Sequence, residues 1–364
     1  MSTKSTIEKK FTVLKWAHRA AAVIHLGSSG FLLGYAADGN NWTPPLEISH
    51  DRWVDLTGCE NNLNSRCFRQ ERQIDTYGID LAWLCATFAL WSGLLHFLIG
   101  FVPSITAKYR KSVEQRFGFW RWLDYTVSAS IMIVVIAIYC GIVDTFTLAL
   151  LGLVEGTVIL VGAASEWALA QYALRLNALP VLTSWQKLFG TALELKNGFF
   201  ILARGLLYIA FVIFFLLWVP ILTTFFLSLE GAEEVPFIVY VVVMSYPISF
   251  LFFGLILLQI YRKRTENYLW YEFNFVLLSL VSKVLLHWSI FFGLLVRGES
   301  LENAEFERKA PGSVDENSLY GVIGGALLGG ILISVIAAHY WPSSKKEKVE
   351  GINMKAVAST YSFL

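Results

Sequence analysis

Lys283 lies near the middle of an apolar run, about residues 269–296, that is long enough to cross a lipid bilayer. An uncompensated charge at that depth costs at least ~2.5–3.5 kcal/mol, so an intramembrane lysine asks for a function. An amine kept in an apolar pocket can condense with an aldehyde to a Schiff base, whose charge then needs a nearby carboxylate. The alternatives are a pathway charge or a structural ion pair inside a helix bundle.

Asp124, in RWLDYTVSASIMIVV, supplies a candidate partner. Opposite charges brought together in a dry bundle lower each other's desolvation cost. Arg121, one turn earlier, is a competing partner for Asp124, and an interfacial or capping carboxylate is the plainer reading of it. His25, His96 (in GLLHF) and Ser279 fall at similar depth. Two histidines beside a carboxylate suggest a hydrated polar cavity, whereas each taken singly reads as a packing residue. On the other side of Lys283 stand His287, one turn along the same helix, and Glu155; a proton path through the whole protein would need both. Glu166, Glu194, Arg204 and Glu272 read as interfacial or snorkelling groups. The sequence has no HExxH, no GxSxG, no phosphate-binding glycine loop and no metal-ligand cysteine spacing, so zinc, acyl-transfer and nucleotide chemistry lack support.

The elements that position these groups are membrane helices. The 364 residues are 55% hydrophobic and 16% charged, with mean hydropathy +0.55, beyond what a soluble domain of this size needs. Eight windows are long enough to span: 12–36, 78–103, 119–142, 147–170, 198–227, 236–260, 269–296 and 319–341. Their continuous hydrophobicity excludes the short alternating strands of a barrel. A net charge of +1 gives no case for nucleic acid.

Lys and Arg cluster in alternate linkers. They mark the N-terminus (Lys4, Lys9, Lys10, Lys15), the second linker (Lys108, Arg110, Lys111, Arg116, Arg121), the fourth (Arg175, Lys187, Lys196) and YRKRTENY as cytoplasmic. The N-terminal segment reads as a retained first helix rather than a removed signal. The long first linker, 37–77, falls outside; its Trp42, Pro44, Pro45, Trp53, Cys59 and Cys67 suggest packed structure in the form of a small hairpin, with a disulfide open to Cys59 and Cys67. Asn41-Trp42-Thr43 is a glycosylation sequon on that side. A linker at 298–318, the eighth span and a basic tail at 342–364 complete the chain, so both termini are expected in the cytoplasm. Gly325 and Gly329 in the eighth span permit close helix packing.

RWLDYTVSASIMIVVIA, NFVLLSLVSKVLLHW and the placement of His25 and His96 resemble the third- and seventh-helix signatures of the heliorhodopsins, over about residues 12–297. The resemblance implies an all-α, seven-helix bundle with a cytoplasmic N-terminus around all-trans retinal, bound through Lys283 as a protonated Schiff base. It implies Asp124 as counterion, Ser279, Tyr125 and Ser128 beside the chromophore, and His25 and His96 lining a cytoplasmic-side cavity. It further implies homodimers, a slow photocycle, sensory signalling to a cytoplasmic partner and no enzymatic activity. Light-gated proton conduction, as reported for some viral relatives, is the alternative, with His287 and Glu155 as the outer half-path. A retinal-free transporter using the Lys283–Asp124 pair is a third reading. The chain departs from the family pattern in having Asp124 where Glu is usual, His287 where a small apolar residue is typical, and the additional eighth span.

Overall fold

The computed structural model describes residues 3–37, 44–55, 68–178, 191–228, 237–263 and 268–292. In chain order these form α1 (Thr3–Ala37), β1 (Pro45–Asp55), β2 (Phe68–Gly78), α2 (Leu81–Phe101), α3 (Pro103–Glu114), α4 (Phe119–Tyr139), α5 (Thr145–Ala178), α6 (Thr191–Ser228), α7 (Phe237–Lys263) and α8 (Tyr268–Ile290). Seven of the described helices, all but α3, are long and apolar enough to span a membrane. The protein is an integral, multi-pass membrane protein of all-α architecture. The eighth span, its flanking linker and tail, the Asn41 sequon, and Cys59 with Cys67 lie outside the described residues.

Several helices outrun their apolar windows. α6 begins at Thr191 with TALELKN, and α1 carries its early lysines on helical turns. Hydropathy marks contact with hydrocarbon, whereas Ala, Leu, Glu and Lys continue a helix into water. α3 occupies the basic second linker. Its signal is Ile105, Tyr109 and Val113 at four-residue spacing behind Pro103 at the first helical position, and Tyr109 and Val113 are buried. Arg116 follows with φ 61°, a left-handed turn that closes α3 and lets Phe117 bond back to Ser112.

β1 and β2 pair antiparallel, Pro45 opposite Gly78 through Asp55 opposite Phe68, and form a hairpin in the long first linker. The hairpin is fastened to the tight α4–α5 turn by Glu47 N–H to Val143 O (2.9 Å) and by Tyr77 to Thr145 (2.7 Å). Asp144 caps α5 by accepting from Thr147 N–H, and Asp80 caps α2 by accepting from the amides of Ala82 and Trp83. The helices are neighbours in the sequence α7, α8, α1, α2, α4, α5, α6. One apolar cluster fills the hairpin half of the bundle and a second the α3 half, with the polar site between them.

Candidate functional site

Lys283 and Asp124 meet at this level. Lys283 Nζ donates to Asp124 Oδ2 at 2.7 Å and to Ser92 Oγ at 2.6 Å, and Ser92 in turn donates to Asp124 Oδ1 at 2.6 Å. All three side chains are buried. Ser92, on α2, is absent from the sequence reading because a serine in an apolar helix carries no signal until its partners are known. The Ser128 hydroxyl returns to the Asp124 carbonyl of its own helix (2.8 Å), and Tyr125 donates to the Phe275 carbonyl (2.8 Å), tying α4 to α8.

Arg121 does not compete for Asp124. Its Nη2 binds Glu166 at 2.7 and 2.9 Å, its Nε binds Glu272 at 3.0 Å, and its guanidinium lies 3.8 Å from the centre of the Phe275 ring. Glu166 also accepts from Trp122 Nε1, Tyr268 (3.0 Å) and the Gly118 amide (3.2 Å), and Glu272 from Tyr109 (3.3 Å). Glu166 is 1% exposed and Glu272 0%, so the expectation that they are interfacial is corrected: the Arg121 cation draws both inward. Arg204 is exposed, with Tyr208 as its neighbour at 3.2 Å. The Glu194 side chain lies outside the described residues.

Between the two ion clusters stand three buried imidazoles. His25 stacks on His96 with ring centres 5.7 Å apart, and His18 Nδ1 is 2.7 Å from His96 Nδ1. His18 is a further residue that the sequence reading passed over. On the hairpin side of Lys283, His287 Nε2 lies 3.1 Å from the Ser28 carbonyl and its ring stands edge-on to Phe88. Glu155 is elsewhere, buried in the wall of a cavity on α5. Glu155 thus shares a cavity wall with Lys283, whereas His287 packs against Ser28 of α1 and Phe88 of α2.

That cavity encloses about 810 Å³ of space between atoms, part of it open to the outside. Lys283, Ser279, Ser282, Ser128 and Glu155 are among its polar lining; Met132, Phe211, Phe214, Phe250 and Phe253 form much of the rest. Two glycines keep it clear. A Cβ at Gly254 would come 2.6 Å from the Phe211 ring, and one at Gly162 would come 3.0 Å from the Trp122 ring. An apolar cavity with a buried amine at its wall, and a carboxylate behind that amine, suits a long polyene aldehyde.

A seven-helix membrane bundle with this lysine, carboxylate and pocket belongs to the retinal-binding class. A model of the heliorhodopsin family matches residues 54–184 and 174–295, well over half of the chain, and the chain belongs to that family. It is accordingly a light-responsive retinal protein of the membrane, in a family of generally non-enzymatic light sensors. No curated protein matches it.

Proposed function

We propose that the protein is a sensory photoreceptor that holds all-trans retinal on Lys283 Nζ as a protonated imine, with Asp124 as its counterion. The observation that carries this reading is the 2.7 Å contact between Lys283 Nζ and Asp124 Oδ2 at the wall of an apolar cavity. When bound, retinal supplies light absorption and a change of shape. The protein's own groups do the remainder. Asp124 holds the one proton on Nζ in the dark by accepting from it, and Ser92, which donates to Asp124 Oδ1, fixes that carboxylate in place. Ser279, Ser128 and Tyr125 border the chromophore, and the Tyr125 bond to α8 fixes that wall. His25 and His96 lie beyond the pair on the α3 side, where a proton leaving Nζ is retained. The basic linkers assign that side, and the N-terminus, to the cytoplasm. A homodimer and a cytoplasmic partner that reads the basic loops belong to the same proposal.

The second reading, a light-gated proton channel, draws on His287, which is buried with Nδ1 unpartnered among the described residues. His287 is not among the residues that line the cavity holding Glu155, which favours the sensor. The test is whole-cell current under voltage clamp in retinal-supplied cells that carry visible pigment. Colour that is lost in Lys283→Ala, together with electrical silence, is the expected result. A sustained current that reverses with the proton gradient would replace the sensor by the channel.

A further inference from the structure

The close approach of two buried histidines limits what they can do. His18 Nδ1 and His96 Nδ1 are 2.7 Å apart, with the side chains 3% and 5% exposed. Two bare nitrogens at that distance repel, and two N–H groups collide, so a single proton lies between them. One ring is then protonated on Nδ1 with Nε2 bare, and the other is protonated on Nε2. Both Nε2 atoms are without a partner among the described residues, as is Nε2 of His25. The pair therefore has one vacant basic nitrogen, on the donor ring.

A proton added to that nitrogen yields an imidazolium that still donates Nδ1–H to its neighbour, a charge-assisted and stronger hydrogen bond. A second proton has only the shared lone pair to occupy. It would break the bond and place two cations side by side. We infer that His18 and His96 form a store for one proton, with His18 an essential member, on the α3 side of Lys283.

The surroundings suit a store better than a wire. The ionisable groups facing the pair are His25 from α1, Tyr109 from α3, Asp124 from α4 and Lys283 from α8. Asp124 is near enough to act on His18 electrostatically, so an imidazolium there has an anion to face once Lys283 has given up its proton. Beyond His18 the Tyr109 ring stands edge-on, with centres 4.8 Å apart, and its hydroxyl is turned to Glu272. Arg121 closes that route with a fixed positive charge. The proton moves from Lys283 Nζ to the pair and back, with no net transfer.

This inference rests on the photoreceptor reading. It is tested on the full-length pigment with 15N-labelled histidine. Magnetic resonance in the dark is expected to find one member of the pair protonated on Nδ1 and the other on Nε2; both on Nε2 would overturn the pairing. Light-induced infrared differences are expected to show one new imidazolium per protein. In His18→Phe, which fills similar space but offers His96 neither an acceptor nor a proton site, that signal falls and the return of the proton to Lys283 speeds by about tenfold or more, as loss of a hydrogen bond to a charged group implies. His18→Leu serves if the first variant yields no pigment. An unchanged signal and return rate would make His18 a packing residue and overturn the store. A wild-type pigment in which no proton leaves Lys283 would overturn the store as well. Failure of the wild-type chain to form pigment would instead strike the photoreceptor reading itself.

Discussion

Two buried ion clusters lie in the α3 half and the middle of the bundle, and they are built differently. Lys283–Asp124 is one cation and one anion with a single serine between them. Arg121 is one cation between two carboxylates, with a tryptophan, two tyrosines and a backbone amide filling remaining acceptor positions. The second cluster ties α4, α5 and α8 together with the help of α3. Its many directional bonds hold one arrangement. The first has few bonds and borders a cavity, so a change in charge or position at Nζ is opposed by little else. One is suited to hold the helices still, the other to respond.

Removing a partner should break that contrast most visibly at the Arg121 cluster. Arg121→Ala leaves two carboxylates buried without their cation, for which ~3–5 kcal/mol of destabilisation is expected. A thermal melt of the purified protein should show the loss, and an unchanged melt would mean that the cluster is not structural. Asp124→Asn should act on colour instead. The counterion stabilises the positive charge at Nζ more in the ground state than after excitation, so its removal should shift the absorption strongly or release the proton from Nζ. A spectrum identical to wild type would assign the counterion role to another carboxylate.

The same contrast explains what could be read from the sequence. Lys283 and Asp124 were legible because each breaks a long apolar run, and a charge inside such a run is rare. Spans were legible from hydropathy alone. Glu166 and Glu272 also lie in helices, yet their distance from the run centres made them look interfacial. Only the fold, by placing Arg121 of α4 between α5 and α8, reveals that they are buried together. Ser92 and His18 were hidden for a related reason: a hydroxyl or an imidazole in a membrane helix is ordinary until a partner from another helix comes within 2.6 or 2.7 Å. Pairings between helices distant in sequence leave no local trace, whereas α3 left one, in its three apolar residues at helical spacing.

The finest division between the two clusters comes from removing one hydroxyl from each. Ser92→Ala takes away the Ser92 donor to Asp124 Oδ1 and one of the two acceptors of Lys283 Nζ, in a site with nothing else described to replace them. About 1–3 kcal/mol of destabilisation is expected from leaving that buried oxygen unsatisfied, with an absorption shift smaller than that of Asp124→Asn. Tyr268→Phe removes a donor from Glu166, which keeps Arg121, Trp122 and the Gly118 amide. Its effect should be at the low end, about 0.5–1.5 kcal/mol, with the colour unmoved. Melts and spectra of the two variants, measured together, separate a responsive pair from a rigid clamp. Equal losses of stability with no colour change in either would mean that the two clusters do the same structural work.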